Sequence, residues 1–241
     1  VSVPPVTGVP PAVARIAGGR TPVAVWHNEL GGRTYRIDDD YVKWFAGEHW
    51  EIDLPGEAER MRWASAFAPV PQVVAAGRDD GGQWLHTKAL PGESAVHPDN
   101  VAEPEQTVAA LGRGLRRWHD LLPPPPCPHR WDVRERLRAR GMEQTPVGQR
   151  YLDATPTMET DLVVCHGDAC NPNFLVRGGE VVGYVDVGRL GIADRWADLT
   201  PALASLTWNF GRGWQATFLD GYGIARDAEK LDYYSRLWDL A

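Results

Sequence analysis

Two short apolar runs, Asp161–Cys165 and Val181–Val185, each open directly onto a polar signature, and few folds accommodate that pairing. The first runs into His166-Gly167-Asp168-Ala169-Cys170-Asn171-Pro172-Asn173, and the second into Asp186-Val187-Gly188, thirteen residues beyond Asn173. Both runs are short enough to be strands flanking a loop. Read as adjacent strands joined by a short hairpin, they bring Asp168, Asn173 and Asp186 to one point. Those residue types suit phosphoryl transfer: a carboxylate at Asp168 can orient an acceptor hydroxyl and take its proton. Asn173 and Asp186 add an amide oxygen and a carboxylate, hard ligands for Mg2+. Taken singly the pieces say little, because an Asp in Val-Asp-Val-Gly is commonly a turn former. Their joint spacing behind two apolar runs carries the reading.

Upstream, β-branched and aromatic residues between turn formers predict strands at Val23–Trp26, Thr34–Ile37, Tyr41–Phe45, Val73–Ala76 and Gln83–Thr87. One helix, Pro55 to Ala66, interrupts them. After Leu90-Pro91-Gly92 the character changes. Val108, Leu111, Leu115, Trp118 and Leu122 fall at helical spacing within Val101–Leu122, and the proline run Pro123–Pro126 ends that helix. Helices resume from Ala197. The pattern predicts an α+β chain with a small antiparallel-sheet N-lobe, residues 1–92, and a larger, mainly helical C-lobe, residues 93–241.

Asp161-Leu-Val-Val-Cys-His-Gly-Asp-Ala-Cys-Asn-Pro-Asn and Gly183-Tyr-Val-Asp-Val-Gly-Arg-Leu-Gly-Ile-Ala-Asp-Arg-Trp-Ala-Asp resemble the aminoglycoside phosphotransferase family, and within it the kanamycin/neomycin 3′-phosphotransferases. Leu115-Arg-Arg-Trp-His, Cys127-Pro and Tyr234-Ser-Arg-Leu-Trp-Asp echo the same family, so the likeness covers most of the chain from about Trp26. It implies a protein-kinase-like bilobal fold using ATP and Mg2+. Asp168 is then the catalytic carboxylate, Asn173 and Asp186 the metal ligands, and His166 a structural residue.

In the N-lobe, Lys43 lies in Tyr-Val-Lys-Trp-Phe, where an extended backbone turns it away from Val42 and Trp44. The resemblance makes it the lysine that meets the ATP phosphates and pairs with a helix carboxylate, Glu57 in preference to Glu59. Lysine is scarce, with only Lys43, Lys88 and Lys230 in the chain, which favours a purpose for each compact ammonium. The Leu30-Gly31-Gly32-Arg33 turn is the expected flap, Gly31 and Gly32 letting backbone amides approach phosphate oxygens. No Gly-x-x-x-x-Gly-Lys-Ser/Thr segment occurs, so a P-loop is not expected and nucleotide is expected between the lobes. The stretch through Lys88 and Leu90 is implied to meet the adenine edge.

The chain departs from its relatives where substrate amines are bound. Ala204-Ser205 stands where an Arg-Asp pair is expected, Leu240 replaces a second C-terminal carboxylate, and the Gly141–Thr160 region is short. The candidates left for a polycation are Asp194, Asp198, Asp239 and Glu159, with aromatic walls from Trp208, Trp214 and Trp238. Asp194 and Arg195 also offer a mutual ion pair, and a tryptophan at helical spacing is more often core.

Composition narrows the partners. A net charge of −7 with dispersed basic residues gives no nucleic-acid footprint and suits a neutral or cationic partner, expected here to be a small cationic antibiotic. Three cysteines without metal spacing fit a reducing cytoplasm. Val1–Gly19 lacks the pattern of a signal peptide, and no apolar run approaches the length of a membrane span, so a cytoplasmic monomer or weak dimer is expected. Three functions compete on these grounds: an antibiotic O-phosphotransferase, a kinase of another small-molecule hydroxyl, and a catalytically silent nucleotide-binding regulator.

Overall fold

The computed structural model describes residues 8–79, 81–155 and 162–240. Contacts divide the chain into two compact units, the first running to Ala66 and including Val70–Leu90, the second made of Phe67–Pro69 and everything from Pro91. The fold class is α+β.

The first unit begins with a seven-residue helix, α1 (Pro11–Ala17), entered through Pro11 and closed by Gly18 in the left-handed conformation. Five strands follow: β1 (Val23–His27), β2 (Arg33–Ile37), β3 (Asp40–Phe45), then, after helix α2 (Leu54–Ala64), β4 (Val73–Asp79) and β5 (Gly82–Lys88). They form one antiparallel sheet in the order β1-β2-β3-β5-β4. Strand alternation buries Tyr35, Ile37 and Val42 against Val13 and Ala17 of α1. The opposite side of the sheet takes α2, which packs on β4 and β5. That helix starts where the Asp53 side chain accepts the Gly56 amide, and it has Pro55 in its first turn.

In the second unit, β6 (Glu93–Ser94) leads to α3 (Pro98–Val101) and α4 (Pro104–Leu121). The helix expected over Val101–Leu122 is α4, which begins three residues later, after the separate short helix α3. Pro104 has no amide to donate and fits only the first turn of a new helix. Val108, Leu111, Leu115 and Trp118 form the buried face of α4. Then come α5 (Val133–Ala139), α6 (Pro146–Asp153), β7 (Leu162–Cys165), β8 (Phe174–Arg177), β9 (Glu180–Tyr184), β10 (Gly191–Asp194), α7 (Trp196–Phe210), α8 (Gln215–Tyr222) and α9 (Ala228–Trp238). Helix α7 is the most apolar of these and is packed by α8, α9 and β10. Among the described residues, no helix is long and apolar enough to cross a membrane.

The two apolar runs are not neighbours in one hairpin. β7 pairs with β10, Cys165 facing Gly191, whereas β9 pairs with β8, which in turn pairs with β6. The intervening Phe-Leu-Val-Arg is itself a strand and occupies the edge of β9. Gly178 and Gly179, both at positive φ, supply the tight turn that joins them. The two signatures still converge, because the Val185 amide donates to Asn173 O at 3.0 Å.

Candidate active site

The first signature is built from β7 outward. As the chain leaves Cys165, the His166 and Gly167 amides donate to the two oxygens of Asp198, at 2.6 and 2.9 Å. Gly167 has φ 87°, and a Cβ there would collide with the Arg189 carbonyl, so only glycine lets the two signatures touch. Asp168 follows, partly exposed. A one-turn 3-10 helix, Asn171–Asn173, then brings Asn173 back, its Nδ2 donating to Asp168 O at 2.9 Å. With the amide nitrogen committed, Oδ1 is the atom Asn173 offers to a cation. Asp186 leaves β9 at φ 63°, in the left-handed region that a non-glycine residue occupies at a cost.

His166 sits beneath this group, fully buried, stacked on Phe174 at 5.9 Å and tilted against Trp118 at 5.3 Å. Its pKa is lowered, with burial the leading cause, although Asp198, Asp168, Asp186 and the Val185 backbone all pull upward. It is therefore neutral at physiological pH.

Two sequence candidates for the acceptor side are interior residues. Asp198 is fully buried and spends its oxygens on the two loop amides and on His119 Nε2, 3.1 Å away. Burial, the largest influence, pushes its pKa up, but His119, His166 and the Gly167 amide outweigh it and the carboxyl stays ionised below its ordinary range. Asp194 is fully buried as well, accepting the Trp196 amide at 2.8 Å and the Lys230 ammonium at 2.8 Å. Lys230 is an ion-pair partner of Asp194, and Arg195 donates to Tyr222. Neither carboxylate has surface to offer a solute. Asp239 is exposed at the end of α9, Trp238 and Trp214 are half-buried, and Trp208 is 67% exposed on α7. Glu159 lies outside the described residues.

In the first unit, Lys43 Nζ meets Glu57 Oε1 at 2.7 Å. Glu57 is buried in the first turn of α2, and Glu59 faces solvent. The glycine turn differs from expectation. Gly31 N donates to Asn28 O at 3.1 Å and Gly32 N to Asn28 Oδ1 at 2.7 Å, so Asn28 takes both amides that were read as phosphate donors. Lys88 points its ammonium at Asp40, 2.5 Å away, and its own amide donates to Gln72 O. The Leu90 amide makes no hydrogen bond among the described residues. All three lysines are thus paired with carboxylates.

Sequence reasoning passed over several residues that shape the loop: His119 behind Asp198, and Asn171 and Ser205 at its far end. His119 stood in the Leu-Arg-Arg-Trp-His echo, yet nothing local marked it as a partner for a residue 79 positions away. His119, Cys165 and Asp198 are close enough to suggest a metal site. The arrangement does not suit one, since His119 and Asp198 hold each other and burial pushes the Cys165 thiol well up.

Residues 13–236 match the phosphotransferase enzyme family. The chain belongs to that family. It is 37% identical over 219 residues to an aminoglycoside 3′-phosphotransferase of Streptomyces fradiae, covering 80% of this chain and 81% of the relative. A streptomycin 3″-kinase of Streptomyces griseus is 35% identical over 250 residues, with 89% and 90% covered. Among solved structures, an aminoglycoside phosphotransferase of Streptomyces rimosus in complex with ADP and streptomycin superposes with a TM-score of 0.66 at 26% identity, covering 87% of this chain and 92% of that one. The α+β, protein-kinase-like fold that the sequence implied is therefore the fold of this phosphotransferase.

Proposed function

We propose that this phosphotransferase moves the γ-phosphoryl group of ATP onto a hydroxyl of an aminoglycoside. The observation that carries the reading is the joining of the two signatures by the Val185 amide–Asn173 O bond, with Asn173 Nδ2 tied to Asp168 O. Asp168 orients the acceptor hydroxyl and receives its proton as the oxygen attacks phosphorus. The γ-phosphoryl group leaves ADP and ends on the acceptor oxygen. Asn173 Oδ1 and the Asp186 carboxylate form an oxygen donor set that fits Mg2+, which when bound neutralises charge on the phosphate oxygens. Lys43, steadied by Glu57, is a cation suited to nucleotide phosphates, and the Leu90 amide is a donor suited to a purine edge. We assign nucleotide binding to residues 1–92 and acceptor binding to residues 93–241.

The acceptor follows from charge. A polyamine drug suits a chain of net charge −7, and exposed Asp239, with Trp208 and Trp238, offers it a carboxylate and two ring faces. Asp194 and Asp198 drop out of the acceptor surface. ATP supply and reduced cysteines fit action in the cytoplasm. The test is ADP release with kanamycin, neomycin and streptomycin beside choline, homoserine and simple sugars. Turnover confined to the drugs supports the reading, turnover of a metabolite replaces the acceptor, and no ADP with any of them leaves a silent binding protein.

A further inference from the structure

One face of α7 forms the bed on which the catalytic loop lies. Asp198, Ala202, Ser205 and Asn209 recur at steps of four, three and four residues, which places them on one side of a helix. Asp198 takes the amides at the start of the loop. Two turns further on, the Asn171 amide donates to Ser205 Oγ at 3.0 Å and the Asn171 side chain donates to Ala202 O at 3.3 Å. Asn209 Nδ2 completes the row, donating to Ser205 Oγ at 3.0 Å and to Ser205 O at 2.8 Å. Ser205 is 1% exposed and Asn171 fully buried.

We propose that Ser205 is a positioning residue for phosphoryl transfer: its hydroxyl, held by Asn209, fixes the Asn171 amide and with it the spacing between Asp168 and Asn173. A buried amide without an acceptor is costly, so the loop must follow wherever the hydroxyl sits. Asn171 lies between the proposed base and the proposed metal ligand, which are themselves tied by the Asn173–Asp168 bond. With two N–H donors on its oxygen, Ser205 keeps its own O–H to donate. Ser205 thereby gives the departure at Ala204-Ser205 a task on the loop side of α7.

This inference rests on the roles given above to Asp168 and Asn173, and its test has one arm that does not. Hydrogen exchange of the Asn171 amide and steady-state kinetics are measured for Ser205→Ala, Ser205→Thr and Asn209→Ala. Losing one buried hydrogen bond corresponds to about a tenfold change. Ser205→Ala should speed Asn171 exchange about tenfold and lower kcat about tenfold, with the KM for ATP unchanged. Ser205→Thr, which keeps the hydroxyl, should restore both, and Asn209→Ala should move both the same way by less. Wild-type exchange in Ser205→Ala overturns the proposal, as does an equal loss of kcat in the Ala and Thr variants. If the wild-type protein phosphorylates no aminoglycoside, that reading of the acceptor fails, and exchange alone decides whether Ser205 holds the loop.

Discussion

Replacing Asp40 by Asn tests how the first unit is held together near its end. The Asp40 carboxylate is buried and meets Lys88 Nζ at 2.5 Å, His86 Nε2 at 3.1 Å and Arg20 Nη1 at 3.4 Å. Lys88 is the leading cause, burial opposes it, and the result is a pKa lowered from 3.8 to about 2. A tenfold change in proton affinity between folded and unfolded chain is worth about 1.4 kcal/mol. Lys88 is half exposed, so solvent screening trims the total to about 1–2 kcal/mol. In acid the unfolded chain takes up this proton first, near 3.8, while the folded carboxylate stays ionised down to about 2. The contribution is therefore complete above the unfolded pKa and drains away as pH falls through the folded one. Asp40→Asn should cost about 1–2 kcal/mol near neutrality, and its stability should fall less steeply between about pH 4 and pH 2. Urea unfolding across that range, with exchange of the β3 amides reporting on the first unit, measures both. Parallel loss of stability in variant and wild type across that range would refute the reasoning.

Asp168→Asn should lower turnover by about 10²-fold or more, the usual contribution of a positioned base, with ATP affinity unchanged by calorimetry; full turnover in the variant removes Asp168 from that role. Asp186→Ala should abolish the Mg2+ dependence of ATP binding, read by titrating nucleotide with and without the ion, and activity that survives excess chelator would exclude the donor set. Asp239→Ala should raise the KM of an aminoglycoside by roughly one to two powers of ten and leave the KM for ATP alone, since a charge-assisted hydrogen bond is worth about 1.5–3 kcal/mol; equal shifts in both constants would place Asp239 elsewhere.

The parts of the fold legible in the sequence were those with room to show a period. Strands β1 to β5 alternate between turn formers, and the apolar face of α4 repeats over five turns, so both could be read directly. Helix α1 could not, because seven residues opening on a proline show no period. β8 and β10 were hidden for a related reason: each has four residues, and Phe-Leu-Val-Arg follows a turn that looks like loop. The loop's key residues stood out as a motif, whereas their supports did not. Asp198 and Ser205 act on amides more than thirty positions away, and an acidic residue in a sequence carries no sign of whether its carboxylate will face water or two buried N–H groups. The Gly31-Gly32 turn misled in the opposite sense, since an Asn three residues before Gly31 captured the amides that glycine left accessible.

The contact between Gly167 and the Arg189 carbonyl limits where this enzyme can change over evolutionary time. No side chain of any size fits at position 167, so that position is closed to substitution. Variation must enter elsewhere, at exposed positions such as Trp208 and Asp239. A chain divided in this way can change its exposed surface without disturbing the turn at Gly167.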